Sequence, residues 1–159
     1  MSCEGLLPDV LPPDDPVQAS HHLHVDPVPR VVSEARRFVR AHAPELPPET
    51  VEVLLLLTSE LVSNAVLHAR TEIEVGLTVT QASVVVTVHD LDLAMPEQDP
   101  YLHREGGWGL GLVRALADSA SMTRDPAGGK TAWFRLLRGP SPTVADDAAA
   151  RPDAAVRDS

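Results

Sequence analysis

The first half of the chain contains two stretches whose apolar positions recur at helical spacing. In "PVPRVVSEARRFVRAHA", residues 27–43, apolar side chains lie between basic ones as in an amphipathic helix, and three prolines then end the pattern. A second, more apolar helix is predicted from near Glu49 to about His68.

Strand patterns and turn residues dominate the rest of the chain. The β-branched runs "TEIEVGLTVT" and "SVVVTVHDLD" are joined by "QA", which predicts an antiparallel strand pair. The runs "ASMTRD" and "KTAWFRLLR" flank the turn "PAGG" and predict a second hairpin. A short strand is predicted at "HHLHVD", and a helix opened by glycines at "WGLGLVRALADS".

The resulting order is strand, two helices, two strands, loop, helix and two strands, which predicts an α+β fold. Neighbouring strands joined by short turns favour a two-layer sandwich, in which a mostly antiparallel mixed sheet carries its helices on one face. Residues 21–138 are expected to form this domain. Residues 1–20 and the acidic, Ala- and Pro-rich residues 139–159 show no sustained apolar period, so both are expected to be disordered tails.

Composition narrows the classes of function. The 159 residues are 43% hydrophobic, enough for one domain with a substantial core. The net charge is −10, of which about −4 lies between the two tails, and this argues against a nucleic-acid partner. Lys130 is the only lysine, and no run resembles a membrane span, a polybasic membrane patch or a secretory signal. A cytoplasmic protein is therefore expected, and the single Cys3 indicates no redox chemistry.

A polar stripe lies on the second predicted helix. Glu60, Asn64 and His68 are spaced by four residues, so each is only about 40° around the helix from the previous one. A carboxylate beside an amide oxygen suits magnesium, and the carboxylate could also accept a proton from an attacking hydroxyl. The alternative is a solvated helix face, and His68 is better explained as a helix-end residue that interacts with the helix dipole.

Two further segments offer candidate chemistry. Asp90 ends an apolar strand and could accept hydrogen bonds from an adenine amino group, or it could simply initiate a turn. The glycines of "GGWGLGLV" lead into a helix N-terminus, which favours a phosphate, although a loop with a glycine cap has the same pattern.

Three other motifs do not support a site. "DPAGGKT" lacks the first glycine of a P-loop and precedes a strand instead of a helix, and "GGWGLG" follows a polar loop where a dinucleotide fingerprint follows a strand. The "HHLH" cluster has no accompanying acid or cysteine pattern for a metal.

In this order the motifs resemble the GHKL ATPase superfamily, which includes gyrase, Hsp90, histidine kinases and MutL. The resemblance rests on "ELVSNAVLHA", a strand ending in Asp, "GGWGLGLV" and "GGKTAWF", within about residues 28–137. The chain is most similar to the anti-sigma-factor serine/threonine kinases and their actinobacterial ATP-binding relatives. The resemblance implies a sandwich of the Bergerat type.

The resemblance also implies roles for individual residues, with ATP and Mg²⁺ as cofactors. Glu60 is matched to the catalytic base, Asn64 to the magnesium-binding asparagine and Asp90 to the adenine-reading aspartate. The remaining nucleotide-binding positions are the lid glycines Gly107, Gly109 and Gly111, then Leu112, and Thr131, which would support adenine through water. The superfamily follows its aspartate with glycines, as DxGxG, whereas here Asp92 and Ala94 stand at those positions.

Two functions follow from the resemblance. The first is a serine/threonine kinase that binds a sigma factor and phosphorylates an antagonist protein, and a homodimer is compatible with it. The second is a non-catalytic nucleotide-binding module of the same fold. The catalytic half of a histidine kinase is disfavoured, because neither tail shows a dimerising helix with an acceptor histidine.

Overall fold

A computed structural model describes residues 10–93 and 109–139, which form five strands and three helices. The elements are, in chain order, β1 (Val17–Val25), α1 (Val31–His42), α2 (Pro48–His68), β2 (Ile73–Thr80), β3 (Ser83–Asp90), α3 (Gly109–Leu116), β4 (Ser119–Arg124) and β5 (Lys130–Leu137). This is the predicted order of elements.

The five strands form one sheet in the order β1-β2-β3-β5-β4. Each neighbouring pair among the described strands is antiparallel, which confirms the α+β class with an antiparallel sheet. The predicted "QA" turn joins β2 to β3. Because β5 lies between β3 and β4, the start of β5 is placed against the end of β3.

The hydrophobic core lies between the helices and one face of the sheet. Alternate residues of the central strands enter it because successive strand side chains point to opposite faces. The core residues of the central strands are Ile73, Val75, Leu77 and Val79 on β2, Val84, Val86 and Val88 on β3, and Ala132, Phe134 and Leu136 on β5. All three helices contribute to the same cluster, as the prediction of helices on one face requires.

Helix α2 is the central helix of this layer. Pro48 occupies its first turn, where the missing N–H of proline costs nothing. Among the described residues, α2 is the one helix that could cross a membrane by length and apolar composition. Its buried residues, including Leu54, Leu57 and Leu61, belong to the domain core.

The expected boundary between the N-terminal tail and the domain, at residue 21, lies too late in the chain. Residues 17–20, assigned to a disordered tail, form the first part of β1 and pair with β2, where Ser20 lies opposite Thr78. Polar side chains alternate along this edge strand, so its sequence carries little apolar signal, and its stability comes from pairing with a distant segment. The buried Asp15 lies still earlier in the chain.

Three segments fall outside the described residues, namely 1–9, 94–108 and 140–159. The predicted lid position Gly107 and the predicted C-terminal tail, apart from Gly139, belong to them. The assignment of residue roles there stays a prediction.

Candidate functional site

The polar stripe of α2 is more exposed than the apolar residues of the same helix. Glu60 and Asn64 are partly exposed, although Leu57, Leu61 and Ala65 on the same helix are buried. Neither polar side chain forms a hydrogen bond or ion pair with another described residue, so both are available to a ligand. His68 is exposed in the last turn, the position expected of a helix-end residue.

Helix α3 begins at Gly109 and packs against α2. Leu110 and Val113 are buried and fix its first turns to the core. Gly111 and Leu112 are partly exposed in the same segment. The structure therefore places three of the predicted nucleotide-binding positions at the N-terminal end of a helix in contact with α2.

Asp90 is the last residue of β3 and is only 4% exposed. Its Oδ1 accepts a hydrogen bond from the backbone N–H of Asp92, at 2.9 Å, and one from Lys130 Nζ, at 3.1 Å. Among the described residues no hydrogen bond reaches Oδ2. Asp90 is thus a buried carboxylate with one oxygen held by the protein and the other available.

The glycine turn before β5 passes directly over Asp90. Gly129 has φ +84°, and a Cβ added there would overlap the backbone carbonyl oxygen of Asp90 and lie 2.9 Å from the Cα of Leu91. A side chain at this position is therefore excluded both by conformation and by space. The sequence indicates only that these glycines form a turn, and it gives no sign that Gly129 lies against the backbone of Asp90.

Thr131 is not brought to the site. Its hydroxyl is fully buried and lies 3.0 Å from Nδ1 of His89, on the face of the sheet opposite to Asp90. Register explains this, since Asp90 is paired with Lys130, and Thr131, one residue later, points the other way. The residue of β5 that lies beside Asp90 is therefore Lys130, which the sequence marks only as the single lysine of the chain.

Asp92, which stands where the family resemblance leads us to expect glycine, lies close to Lys130. The Asp92 carboxylate Oδ2 lies 3.6 Å from Lys130 Nζ, so the extra negative charge next to Asp90 faces the ammonium group. Asp92 and Lys130 thus form one charged group with Asp90.

The residues present fit a magnesium nucleotide. A carboxylate and an amide oxygen on α2 suit Mg²⁺, which takes few protein ligands and shares phosphate oxygens. The glycine-containing start of α3 suits phosphate, and the free oxygen of Asp90 suits an amino group. The elements that carry these residues, α2, α3 and β3, are in contact through α2.

Comparison with known proteins shows the family of the chain. Residues 25–136 match the model of the histidine kinase-like ATPase domain. The chain belongs to this family. Among curated proteins, none is significantly similar to the sequence.

A solved structure shows the same fold. The chain is similar to the RsbU and RsbW domains of Rv1364c from Mycobacterium tuberculosis, with a TM-score of 0.58 and 22% sequence identity. The match covers 78% of this chain but 34% of that one. At this identity the likeness concerns the fold, which the histidine kinase-like ATPase domain shares with the larger protein.

Proposed function

We propose that this histidine kinase-like ATPase domain binds MgATP and acts as an anti-sigma-factor-type serine/threonine kinase. It would phosphorylate an antagonist protein and bind a sigma factor in a partner-switching system. The observation that carries the nucleotide site is Asp90, a buried carboxylate at the end of β3 whose Oδ2 accepts no hydrogen bond from the part of the chain that the structure describes. The kinase assignment rests on Glu60 of the adjacent helix, a carboxylate with no side-chain partner among residues 10–93 and 109–139.

The proposed reaction gives each α2 residue a separate task. Glu60 accepts the proton of a serine or threonine hydroxyl, whose oxygen forms a bond to the γ-phosphorus while the bond to the bridging oxygen of ADP breaks. Asn64 would hold the magnesium ion through its amide oxygen. When bound, the ion neutralises charge on the phosphates and orients them.

Glu60→Gln separates binding from chemistry. We expect this variant to bind ATP with little change but to transfer phosphate at least about 100-fold more slowly, because the amide cannot accept the proton. Glu52→Gln is the matched control, since Glu52 is an exposed glutamate on the same helix, about two turns earlier. The measurements are calorimetry with MgATP and transfer of radiolabelled phosphate to a candidate antagonist protein encoded nearby.

Asn64→Ala is expected to behave differently. The variant should weaken the magnesium-dependent part of ATP binding as well as any transfer, because the amide oxygen that would hold Mg²⁺ is lost. Undiminished labelling by Glu60→Gln would remove Glu60 from the role of base. ATP binding with no label on any antagonist would instead favour a non-catalytic binding module.

A further inference from the structure

Lys130, the only lysine of the chain, is buried beside Asp90, the carboxylate that would bind the adenine base. Lys130 is 7% exposed, and its Nζ lies 3.1 Å from Asp90 Oδ1. A lysine is rarely buried to this extent unless it is paired. The register of β3 and β5 places the two residues directly opposite each other, on the face of the sheet that carries the helices.

The contacts of Lys130 leave it able to donate to a ligand. Its hydrogen bond to Asp90 is short, whereas its approaches to Asp92 are long, at 3.5 Å to the backbone oxygen and 3.6 Å to Oδ2. An ammonium group has three N–H donors. A donor of Lys130 can therefore turn from Asp92 to a bound molecule while the bond to Asp90 is kept.

Asp90 and Lys130 together present an acceptor beside a donor. The Watson–Crick edge of adenine carries the complementary pair, an amino group at position 6 beside the acceptor nitrogen N1. In the same pose, guanine or hypoxanthine would place a carbonyl oxygen against the carboxylate and an N–H against the ammonium, and both contacts would be repulsive.

We infer that Lys130 is a specificity-determining residue, which donates a hydrogen bond to N1 of adenine while Asp90 Oδ2 accepts one from the 6-amino group. This rests on the proposed function, since it requires a nucleotide at this site. The charged side chain of Lys130 would then support adenine by a direct contact, whereas the family resemblance implies that Thr131 supports it through water.

The test uses an analogue of ATP in which N1 is replaced by CH. We expect the wild-type protein to bind this 1-deaza analogue about 10- to 100-fold more weakly than ATP, because the buried ammonium then loses its acceptor. The Lys130→Met variant should bind ATP and the 1-deaza analogue with equal affinity. Its preference for ATP over ITP should be about 10- to 100-fold smaller than that of the wild-type protein. Arg124→Met is the control, since it removes an exposed positive charge opposite Lys130 on β4.

A second measurement needs no variant. Because Lys130 is the only lysine, protein labelled with ¹³C-lysine gives one side-chain Cε signal. That signal should shift on addition of MgATP and shift much less with the 1-deaza analogue. This readout stays informative even if Lys130→Met, which leaves Asp90 without its ion pair, does not fold.

The outcomes separate this inference from the proposed function. If the wild-type protein binds both ATP and the 1-deaza analogue equally well, Lys130 does not read N1, although the nucleotide site stands. If Lys130→Met weakens the binding of ATP and of the 1-deaza analogue by the same factor, Lys130 only positions Asp90. If the wild-type protein binds no ATP at all, the proposed function fails and the inference fails with it.

Discussion

Asp15 holds the segment before β1 against the turn between β2 and β3. Its carboxylate accepts hydrogen bonds from Thr80 Oγ1 at 2.7 Å, the backbone N–H of Ala82 at 2.9 Å and Ser83 Oγ at 3.2 Å, and Arg135 Nη2 lies 3.7 Å away. Burial raises the pKa of Asp15, but these hydrogen bonds and the charge of Arg135 outweigh it, so the pKa lies below the ordinary value of 3.8.

The lowered pKa of Asp15 has a defined consequence for stability. Since the folded state favours the ionised form, the stabilisation is fully present above pH 3.8 and is lost as pH falls through the lower, folded-state pKa. We expect Asp15→Asn to lower the free energy of unfolding by about 1–3 kcal/mol at neutral pH. The difference from wild type should shrink in denaturant titrations carried out below pH 3.8.

Asp14→Asn is the matched control, because Asp14 is the exposed neighbour of Asp15. It should leave stability within about 0.5 kcal/mol of wild type. Equal effects of the two substitutions would mean that Asp15 contributes through general charge, without its hydrogen bonds.

At the scale of elements, β1 is the strand whose extent the sequence understated. It is the edge strand of the sheet, and its register with β2 runs from Val17 opposite Thr80 to Val25 opposite Ile73. Residues 17–20 therefore carry backbone hydrogen bonds of the sheet, and the segment before them carries Asp15. A fragment that begins at residue 21 removes both.

Truncation tests this element directly. Among chains that end at residue 139, we expect one that begins at residue 17 to unfold at a lower temperature than one that begins at residue 10, because it lacks Asp15. A chain that begins at residue 21 should unfold at a still lower temperature, with a midpoint about 5 °C or more below that of the chain that begins at residue 10. A loss of about 1 kcal/mol in stability already lowers the midpoint by several degrees in a domain of this size. Equal midpoints by differential scanning calorimetry would show that neither segment stabilises the fold.

At the scale of the whole molecule, the topology brings the residues of the candidate site together from distant parts of the chain. Asp90 ends β3 and Lys130 begins β5, and the two strands are neighbours because β5 lies between β3 and β4. Glu60 and Asn64 come from a helix that precedes both strands in sequence. A ligand bound to all of these elements would oppose their separation.

MgATP should therefore stabilise the protein against thermal unfolding. At a concentration of about 100 times its Kd, a ligand specific for the folded state adds about 2.7 kcal/mol, which corresponds to a rise of roughly 5–15 °C in the midpoint. Asp90→Asn should reduce this rise in the unfolding midpoint, because it replaces the charged group that would accept a hydrogen bond from adenine. A thermal shift that is the same with ATP and EDTA as with MgATP would exclude a magnesium-dependent site.

The sequence alone determined the order of the elements and part of the candidate site. The sequence predicts the first end of helix α2 to within one residue and places Glu60 and Asn64 on one stripe of it. These features depend on the spacing of side chains that share one face, which repeats every 3.6 residues in a helix and every 2 residues in a strand. Such spacing is visible within a single short stretch of the chain. The antiparallel α+β sandwich followed from the order of such elements.

Only the tertiary structure decided which residues meet. The register of β3 against β5 brought Lys130 to Asp90 and turned Thr131 to the opposite face, and a shift of one residue would have exchanged them. The hydrogen bonds of Asp15 join residues more than 60 positions apart. Such pairings depend on how the whole chain packs, so local composition and spacing carry no signal for them.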